Sequence, residues 1–437
     1  MDVTQKDYFS DLSIVSDPHP YFDAIRALSP VWREPHYGVF MVTGAAEVTE
    51  VLTRNDGTFS SAMSVLGPIP PLPFAVNGGD ISAEIEQHRG DMPWSAHITT
   101  FDGRKHAEHR SLLSPLLTYK RLKANEEYLV GLADRVLDGF IEGGKCNAAS
   151  QYAHAVATFA ISDLMGIPEA DRWELVELLG VPPSQIEGEA VHRVGSDPLI
   201  FLKERFDGYL RERQENPCAD LMSELVASRY KDGRQPDFET ISNLARFMFG
   251  AGQDTTSRLV TMALRALGDD QELQARIRAE PSRIPDLLEE ALRWDGPVKV
   301  VYRLATHDTH IGGTAIPAGS LVGATLSAAS NDPARFADPR NFDIDREHLR
   351  DHFAFSRGAH ACLGAPLARI EARVAIERIL SRTSSIRISE EHHGPAGARR
   401  YRYEPTYSFR SMSDLHIEFE PVSADARKPS IIASVPS

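Results

Sequence analysis

The sequence is short of the residues on which several protein classes depend. Its 437 residues include only three cysteines, Cys146, Cys218 and Cys362, with no close pair among them. That argues against a disulfide framework or a cysteine-rich zinc site and fits a reducing compartment. Positive charge is in deficit, 47 Lys and Arg against 62 Asp and Glu, for a net charge of −15. Nucleic acid is therefore not an expected partner, since phosphate binding needs a basic face. No run of 18 apolar residues occurs, and the first 17 residues have neither a basic region nor an apolar one. The expectation is a cytoplasmic protein with no membrane association, and most simply a monomer. Fixed-period repeats and long low-complexity linkers are also missing. One domain over residues 1–421 is expected, with a disordered tail over 422–437.

What is present is an ordinary globular composition, 42% hydrophobic and 25% charged, enough to bury a sizeable core. Leu244, Met248, Ala251, Thr255, Leu259, Met262 and Ala266 step by three and four, predicting a deep core helix from Phe238 to Leu267. A second helix is expected from Pro285 to Trp294, with proline in its first turn and Asp295-Gly296-Pro297 ending it. Val298 to Ala305 and Thr314 to Ala324 read as strands, with Gly312-Gly313 and Pro317-Ala318-Gly319 as turns. The stretch from Met63 to Phe101 reads as a long irregular segment, of a kind that is usually functional or disordered.

The sharpest local signal surrounds Cys362. A lone cysteine is usually a buried structural residue. This one is flanked by Gly358 and Gly364 and directly precedes an amphipathic helix with Leu363, Leu367, Ile370 and Val374 on its apolar face. Sulfur at a helix N-terminus faces unpaired amide groups and the positive end of the dipole, which favour thiolate. The two glycines would let backbone approach a flat ligand, with Phe355 packed beside it.

The pattern Phe355-x-x-Gly358-x-His360-x-Cys362-x-Gly364 resembles the haem-binding signature of the cytochrome P450 family in its soluble bacterial form. Four further segments match in the family's order. The resemblance implies a mainly α fold with a smaller β-rich part (α+β) around a buried haem b. Cys362 would then be the axial ligand of the iron, the thiolate that favours O–O cleavage. It also implies a monooxygenase that inserts one atom of O2 into a hydrophobic organic substrate.

Within the core helix, Ala251-Gly252-Gln253-Asp254-Thr255-Thr256 places poor helix formers in mid-helix. Taken alone this is equally well a helix-packing site. Gly252 opens space beside the axis, Thr255 offers a hydroxyl and Asp254 an acid for relaying protons. The resemblance assigns Thr255 to the oxygen-side hydrogen bond and Asp254 to the relay. It assigns His106, Arg110, Arg303 and His360 to the haem propionates, which need cationic or hydrogen-bonding partners. Glu290 and Arg293, one helical turn apart, are read as a buried structural pair. The family usually adds an arginine from the loop that here reads Pro339-Arg340-Asn341-Phe342. With Asn341 at that place, either Arg340 substitutes or the network differs. Asn331 to Pro339 reads as a structural turn-rich loop, and the His348/His352 spacing lacks the further ligands a metal would need.

No dinucleotide- or phosphate-binding motif stands in a strand–turn–helix setting, so electrons are expected from outside, from a ferredoxin-type iron–sulfur protein. Its expected dock is a basic patch of Arg357, Arg369, Arg373, Lys120, Arg121 and Lys123 on the cysteine side. The substrate pocket is expected to draw on Ala62 to Trp94, on the helix around Arg246 to Gly250 with Phe249, on Val298 to Tyr302 with Val298, Lys299 and Val300, and on the turn Tyr407-Ser408-Phe409. These residues point to an apolar terpenoid, steroid or aromatic compound, with Lys299 available to a carboxylate if it faces inward. Two alternatives stay open: peroxide-driven or isomerising chemistry on the same fold, against which the Asp254-Thr255 pair speaks, and a non-enzymatic haem gas sensor.

Overall fold

The computed structural model describes residues 2–65, 68, 71–179, 197 and 199–422. The core helix runs from Phe238 to Asp269, capped by Asp237, whose side chain accepts from the Thr240 amide at 2.6 Å. It packs against the helices Ala155–Met165, Ile284–Asp295 and Ala365–Arg382, and on the strand Thr383–Ile388. The predicted stripe holds at both ends, where Leu244, Met248, Leu259, Met262 and Ala266 are buried. In the middle it breaks: Ala251 is exposed and Thr255 half-buried although both sit deep in the fold. Their faces look into a cavity.

The β-rich part lies beside this helical mass. A five-stranded sheet runs in the order Val31–Arg33, Phe40–Val42, Leu321–Ala324, Val301–Ala305, Phe59–Ser60, with one parallel pairing between the second and third. Lys145–Asn147, His416–Pro421 and Thr383–Ile388 form a three-stranded sheet, and Thr309–Ile311 pairs with Thr314–Ile316 in a hairpin. The expected turn at Pro317-Ala318-Gly319, with Gly319 at φ +75°, divides the stretch Thr314 to Ala324 into the strands Thr314–Ile316 and Leu321–Ala324. The stretch Met63–Phe101, read as irregular, contains the helix Ser82–Gln87 and two 3-10 turns. Residues 423–437 of the expected tail lie outside the described residues, as do Leu66, Gly67, Ile69 and Pro70 of the stretch Ala62 to Trp94.

Candidate active site

From Phe353 to Gly364 the chain is held largely by its own backbone. The Ser356 amide donates to the Phe353 carbonyl at 2.7 Å, Ala361 to Gly358 at 3.1 Å, and Cys362 to Phe355 at 2.8 Å. Arg110 Nη2 ties the loop from the other side by donating to the Ala361 carbonyl at 2.8 Å. Gly358 sits at φ +69°, and a Cβ there would lie 2.1 Å from the Leu52 carbonyl oxygen. Its bareness thus seats the loop on the helix Ala45–Thr53. This corrects the reading that Gly358 makes room for a flat ligand; it lies outside the cavity lining. The helix Ala365–Arg382 follows at once, with Gly364 as its cap and Pro366 in its first turn. Burial raises the Cys362 thiol above its ordinary pKa, while the Gly364 and Ala365 amides, Arg110 and Arg369 pull it back towards thiolate.

Cys362 opens into a cavity of about 310 Å³. Across it stand Ala251, Gly252 and Thr255 of the core helix, with Phe355, Leu363 and Gly364 on the cysteine side. A Cβ on Gly252 would meet only the Ile161 side chain, at 3.4 Å. Thr255 Oγ1 donates to the Ala251 carbonyl at 2.9 Å, the local bond by which threonine loosens a helix. The remaining wall is mainly apolar, with Ile98, Phe247, Met248, Val298 and Leu292, and with Thr99, Thr256 and Ser356 as polar exceptions.

One rim of the cavity concentrates positive groups. His106 and Arg110 share a face of the helix Gly103–Leu113, and both line the cavity with His360. The His106 and His360 rings stack at 3.9 Å. Burial, then the neighbouring arginines, lowers His106 to about 4 and His360 to about 2. Arg303, buried in the strand Val301–Ala305, is lowered to about 10 by burial. The carboxylate acting on His106 and Arg303 is Asp102, which is occupied by the Ser61 amide at 2.7 Å and the Ser60 hydroxyl. Four groups able to carry positive charge thus press on one another around one carboxylate. Two further carboxylates would relieve them, as the propionates of a haem do.

Asp254 is placed differently. Successive helical residues are rotated by about 100°, so with Thr255 facing the cavity Asp254 faces away from it. Its Oδ1 accepts from Arg258 Nε at 2.9 Å and Nη2 at 2.8 Å.

Four expected pocket residues lie outside the lining and are corrected. Lys299 is buried, lowered to about 7 by burial, and its Nζ donates to the Thr406 carbonyl at 2.6 Å, so it greets no ligand carboxylate. Val300 stands just before the strand, which starts at Val301 rather than Val298, and is buried in the cluster of Tyr8, Tyr21 and Tyr302. Phe249 is buried against Phe206, at 5.2 Å between ring centroids, and Phe247 and Met248 face the cavity instead. Phe409 bridges Val298 but carries the Arg258 guanidinium over its ring at 5.1 Å, away from the cavity. Among the described residues, none of Ala62 to Trp94 lines the cavity; Ile98 and Thr99, just beyond, do.

Glu290 and Arg293 are wholly buried and bidentate, at 2.7 and 2.8 Å. The third arm is Arg346, which the sequence reading missed. Its Nε reaches Glu290 Oε1 at 3.4 Å, and its other nitrogens bind the carbonyls of Ala337, Asp338 and Asn341. Arg340 binds Asn331 Oδ1 at 3.2 Å instead. Also missed was Glu289. Its burial opposes ionisation, yet His352 at 3.0 Å and Arg369 at 2.6 Å overcome this and hold it at about 2. The basic patch is thereby reduced: Arg369 pairs with Glu289, Arg373 with Glu126 and Glu377, and Arg121 with Glu224. Glu371, buried behind the core helix, is raised to about 8 by burial.

The sequence model of the family Cytochrome P450 matches residues 160–391. The chain belongs to the cytochrome P450 family. It is 46% identical to Mycobacterium marinum cytochrome P450 CYP150A6, solved in its substrate-free form, with a TM-score of 0.89 over 96% of this chain and 100% of that one. It is 28% identical over 382 residues to cytochrome P450 144 of Mycobacterium tuberculosis, covering 86% of this chain and 85% of the relative. It is 27% identical to the biotin biosynthesis cytochrome P450 of Bacillus subtilis over 93% of this chain and 97% of the relative. As a P450 it is a haem-thiolate monooxygenase, an oxidoreductase whose cofactor is haem b and whose co-substrate is O2. Its fold is the α+β arrangement expected from the resemblance. Among the described residues, no helix is long and apolar enough to cross a membrane.

Proposed function

We propose that Cys362 is the iron ligand of this P450, and that the enzyme hydroxylates a neutral, compact, apolar organic molecule of terpenoid, steroid or aromatic type. The observation that carries this reading is the cavity itself, with a lone thiol on one wall, Gly252 and Thr255 opposite, and apolar side chains between. The groups present suit a haem: Cys362 would hold its iron, and His106, Arg110, Arg303 and His360 would hold its propionates. When bound, the haem supplies the activation of O2, with a thiolate ligand favouring O–O cleavage. The chain's own part is to place substrate against that centre, exclude water and move protons. Thr255 offers its hydroxyl on the cavity face, and Asp254 is the acid that feeds it.

The substrate reading rests on the wall of Ile98, Phe247, Met248, Ala251 and Val298, which offers apolar contact and no fixed charge. With Lys299 turned away, an anionic substrate has no partner there. One P450 domain over residues 1–421, working as a monomer, takes electrons from a ferredoxin-type iron–sulfur protein on the cysteine side. Among the described residues of the expected patch, Lys123 is exposed and Arg357 donates to the Asp351 carbonyl, not to a carboxylate; the Lys120 side chain lies outside the described residues.

The test is the spectrum of the dithionite-reduced protein with carbon monoxide. A strongly red-shifted Soret band, lost in Cys362→Ala, is expected; an unchanged spectrum in Cys362→Ala would end the assignment. Neutral terpenoids and steroids should then shift the ferric spin state where fatty acids do not.

A further inference from the structure

A second cavity, of about 210 Å³, lies on another face of the core helix from Thr255. It is bounded by Gln253, Asp254, Ser257 and Arg258, by His154 from the neighbouring helical segment, and by Glu404 from the loop before the last strand. Where the first cavity is mainly apolar, this one is lined with carboxylates, hydroxyls and the guanidinium groups of Arg258 and Arg410. Gln253 is buried, yet among the described residues its Oε1 has no partner, and neither has Arg258 Nη1. Buried polar atoms facing a polar cavity of this size are satisfied by ordered water.

The charges in this chamber are unequal in their commitments. Arg258 binds Asp254 Oδ1 at 2.8 Å through Nη2, and the same nitrogen lies 4.0 Å from Glu404 Oε2. Two carboxylates therefore compete for one guanidinium. Arg410 is already taken by Asp295 at 2.8 Å and by the Val15 carbonyl at 2.6 Å. Burial pulls His154 below its ordinary pKa against the opposing pull of the Val176 carbonyl, 3.1 Å from Nε2, and of Asp254. Burial, reinforced by the negative Asp254 and opposed by Arg258, raises Glu404 above the usual carboxylate range. Glu404 is thus the chamber group most disposed to hold a proton, while Asp254 holds the cation.

We propose that this chamber is a proton antechamber in which Glu404 reloads Asp254, with Arg258 as the positioning residue that exchanges between them. The proposal rests on the reading of Asp254 as the relay acid and deepens it. Glu404 gives its proton through chamber water to Asp254, which becomes a neutral acid, and Glu404 is left as a carboxylate. Arg258 then has a better partner in Glu404 than in Asp254, so protonation of Asp254 and its release from the cation occur together. Asp254 passes that proton on toward the Thr255 hydroxyl and is again a carboxylate; solvent then returns a proton to Glu404, and Arg258 moves back to Asp254. No bond other than these O–H bonds is made or broken, and no electron moves through the chamber. Each two-electron turnover draws two protons this way.

The experiment uses the haem-loaded full chain, without added organic ligand and with electrons from a photoreduced flavin. Consumed O2 is partitioned between water and hydrogen peroxide, in H2O and D2O, across the acid-to-neutral range. Glu404→Gln is expected to lower the water share about tenfold or more, flatten its pH dependence and raise the solvent isotope effect. Glu404→Asp, which keeps the carboxyl, should recover part of the loss and stands in if the amide variant fails to fold. Independently of turnover, the infrared carboxylic-acid band of the purified protein should lose intensity in Glu404→Gln. If Asp254→Asn lowers the water share while Glu404→Gln keeps the wild-type share, pH profile and isotope effect, the antechamber is refuted and the relay reading stands. If Asp254→Asn is also without effect, the relay reading falls and the antechamber with it.

Discussion

Removing Arg293 should be the most damaging single truncation among the arginines around Glu290, and the structure gives the order of the rest. Glu290 and Arg293 are both at 0% side-chain exposure. Arg293→Ala would leave Glu290 buried with only Arg346 at 3.4 Å and the Asp343 amide at 2.9 Å on Oε1. Breaking a buried pair this way costs about 3–5 kcal/mol, because one charge stays behind without its partner. The residual contacts place this case near the lower end. Arg346→Ala leaves the Glu290–Arg293 pair intact but uncaps the carbonyls of Ala337, Asp338 and Asn341, a loss of about 1–3 kcal/mol. Arg340→Ala loses one side-chain hydrogen bond to Asn331 and should cost about 0.5–1.5 kcal/mol. Urea unfolding of the three variants, followed by far-ultraviolet circular dichroism, measures these differences. If Arg340→Ala proves more costly than Arg346→Ala, the third arm has been given to the wrong residue. If Arg293→Ala costs less than either, the account of the buried pair itself is wrong.

Three further outcomes follow from the site. Thr255→Ala should leave the carbon monoxide spectrum intact while product formation drops about a hundredfold and peroxide release rises; retained coupling would remove the hydroxyl from proton handling. Arg303→Gln, which takes one buried cation from the rim, should weaken haem retention by about ten- to a hundredfold, read as the rate of haem transfer to an acceptor apoprotein. Glu289, held at about 2 in the fold against about 4.5 when free, adds stability that is fully present above the higher value. That stability is lost as pH falls through the lower one, up to about 3 kcal/mol in all. Unfolding measured from about pH 5 to about pH 2 should therefore be steeper in the wild type than in Glu289→Gln, and equal slopes would contradict it.

Much of the site was legible because its signals are local. Cys362 with its glycines, the mid-helix Gly252 and Thr255, and the His106/Arg110 spacing each lie within a few residues of sequence. The surrounding set was not legible, because it is assembled by tertiary contact. Arg346 reaches Glu290 across 56 positions, and nothing in its local sequence separates it from Arg340. The pocket misassignments share one cause. Strand alternation and the helical rotation decide which of Val298, Lys299 and Val300, or of Phe247, Met248 and Phe249, faces inward. A one-residue difference in phase sends a side chain to the opposite side. Gly358 was misjudged for another reason: its close neighbour, Leu52, is some three hundred residues away in the chain. The basic patch failed in the same way, since its arginines are neutralised by Glu289, Glu126, Glu377 and Glu224, acids that a composition count sees but cannot place.

The core helix is a partition with two unlike rooms on its sides, and no residue is shared between them. Phe247, Met248, Ala251, Gly252, Thr255, Thr256 and Leu259 belong to one, and Gln253, Asp254, Ser257, Arg258, Thr261 and Met262 to the other. On the proposed roles, helical rotation sorts substrate contact and the supply of protons to Thr255 onto separate sectors of one rod. Selection on substrate size could then rewrite Phe247, Met248 and Leu259 while leaving the second set untouched. Paired substitutions across the partition, such as Met248→Ala with Ser257→Ala, should have effects on ligand affinity and on pH profile that simply add.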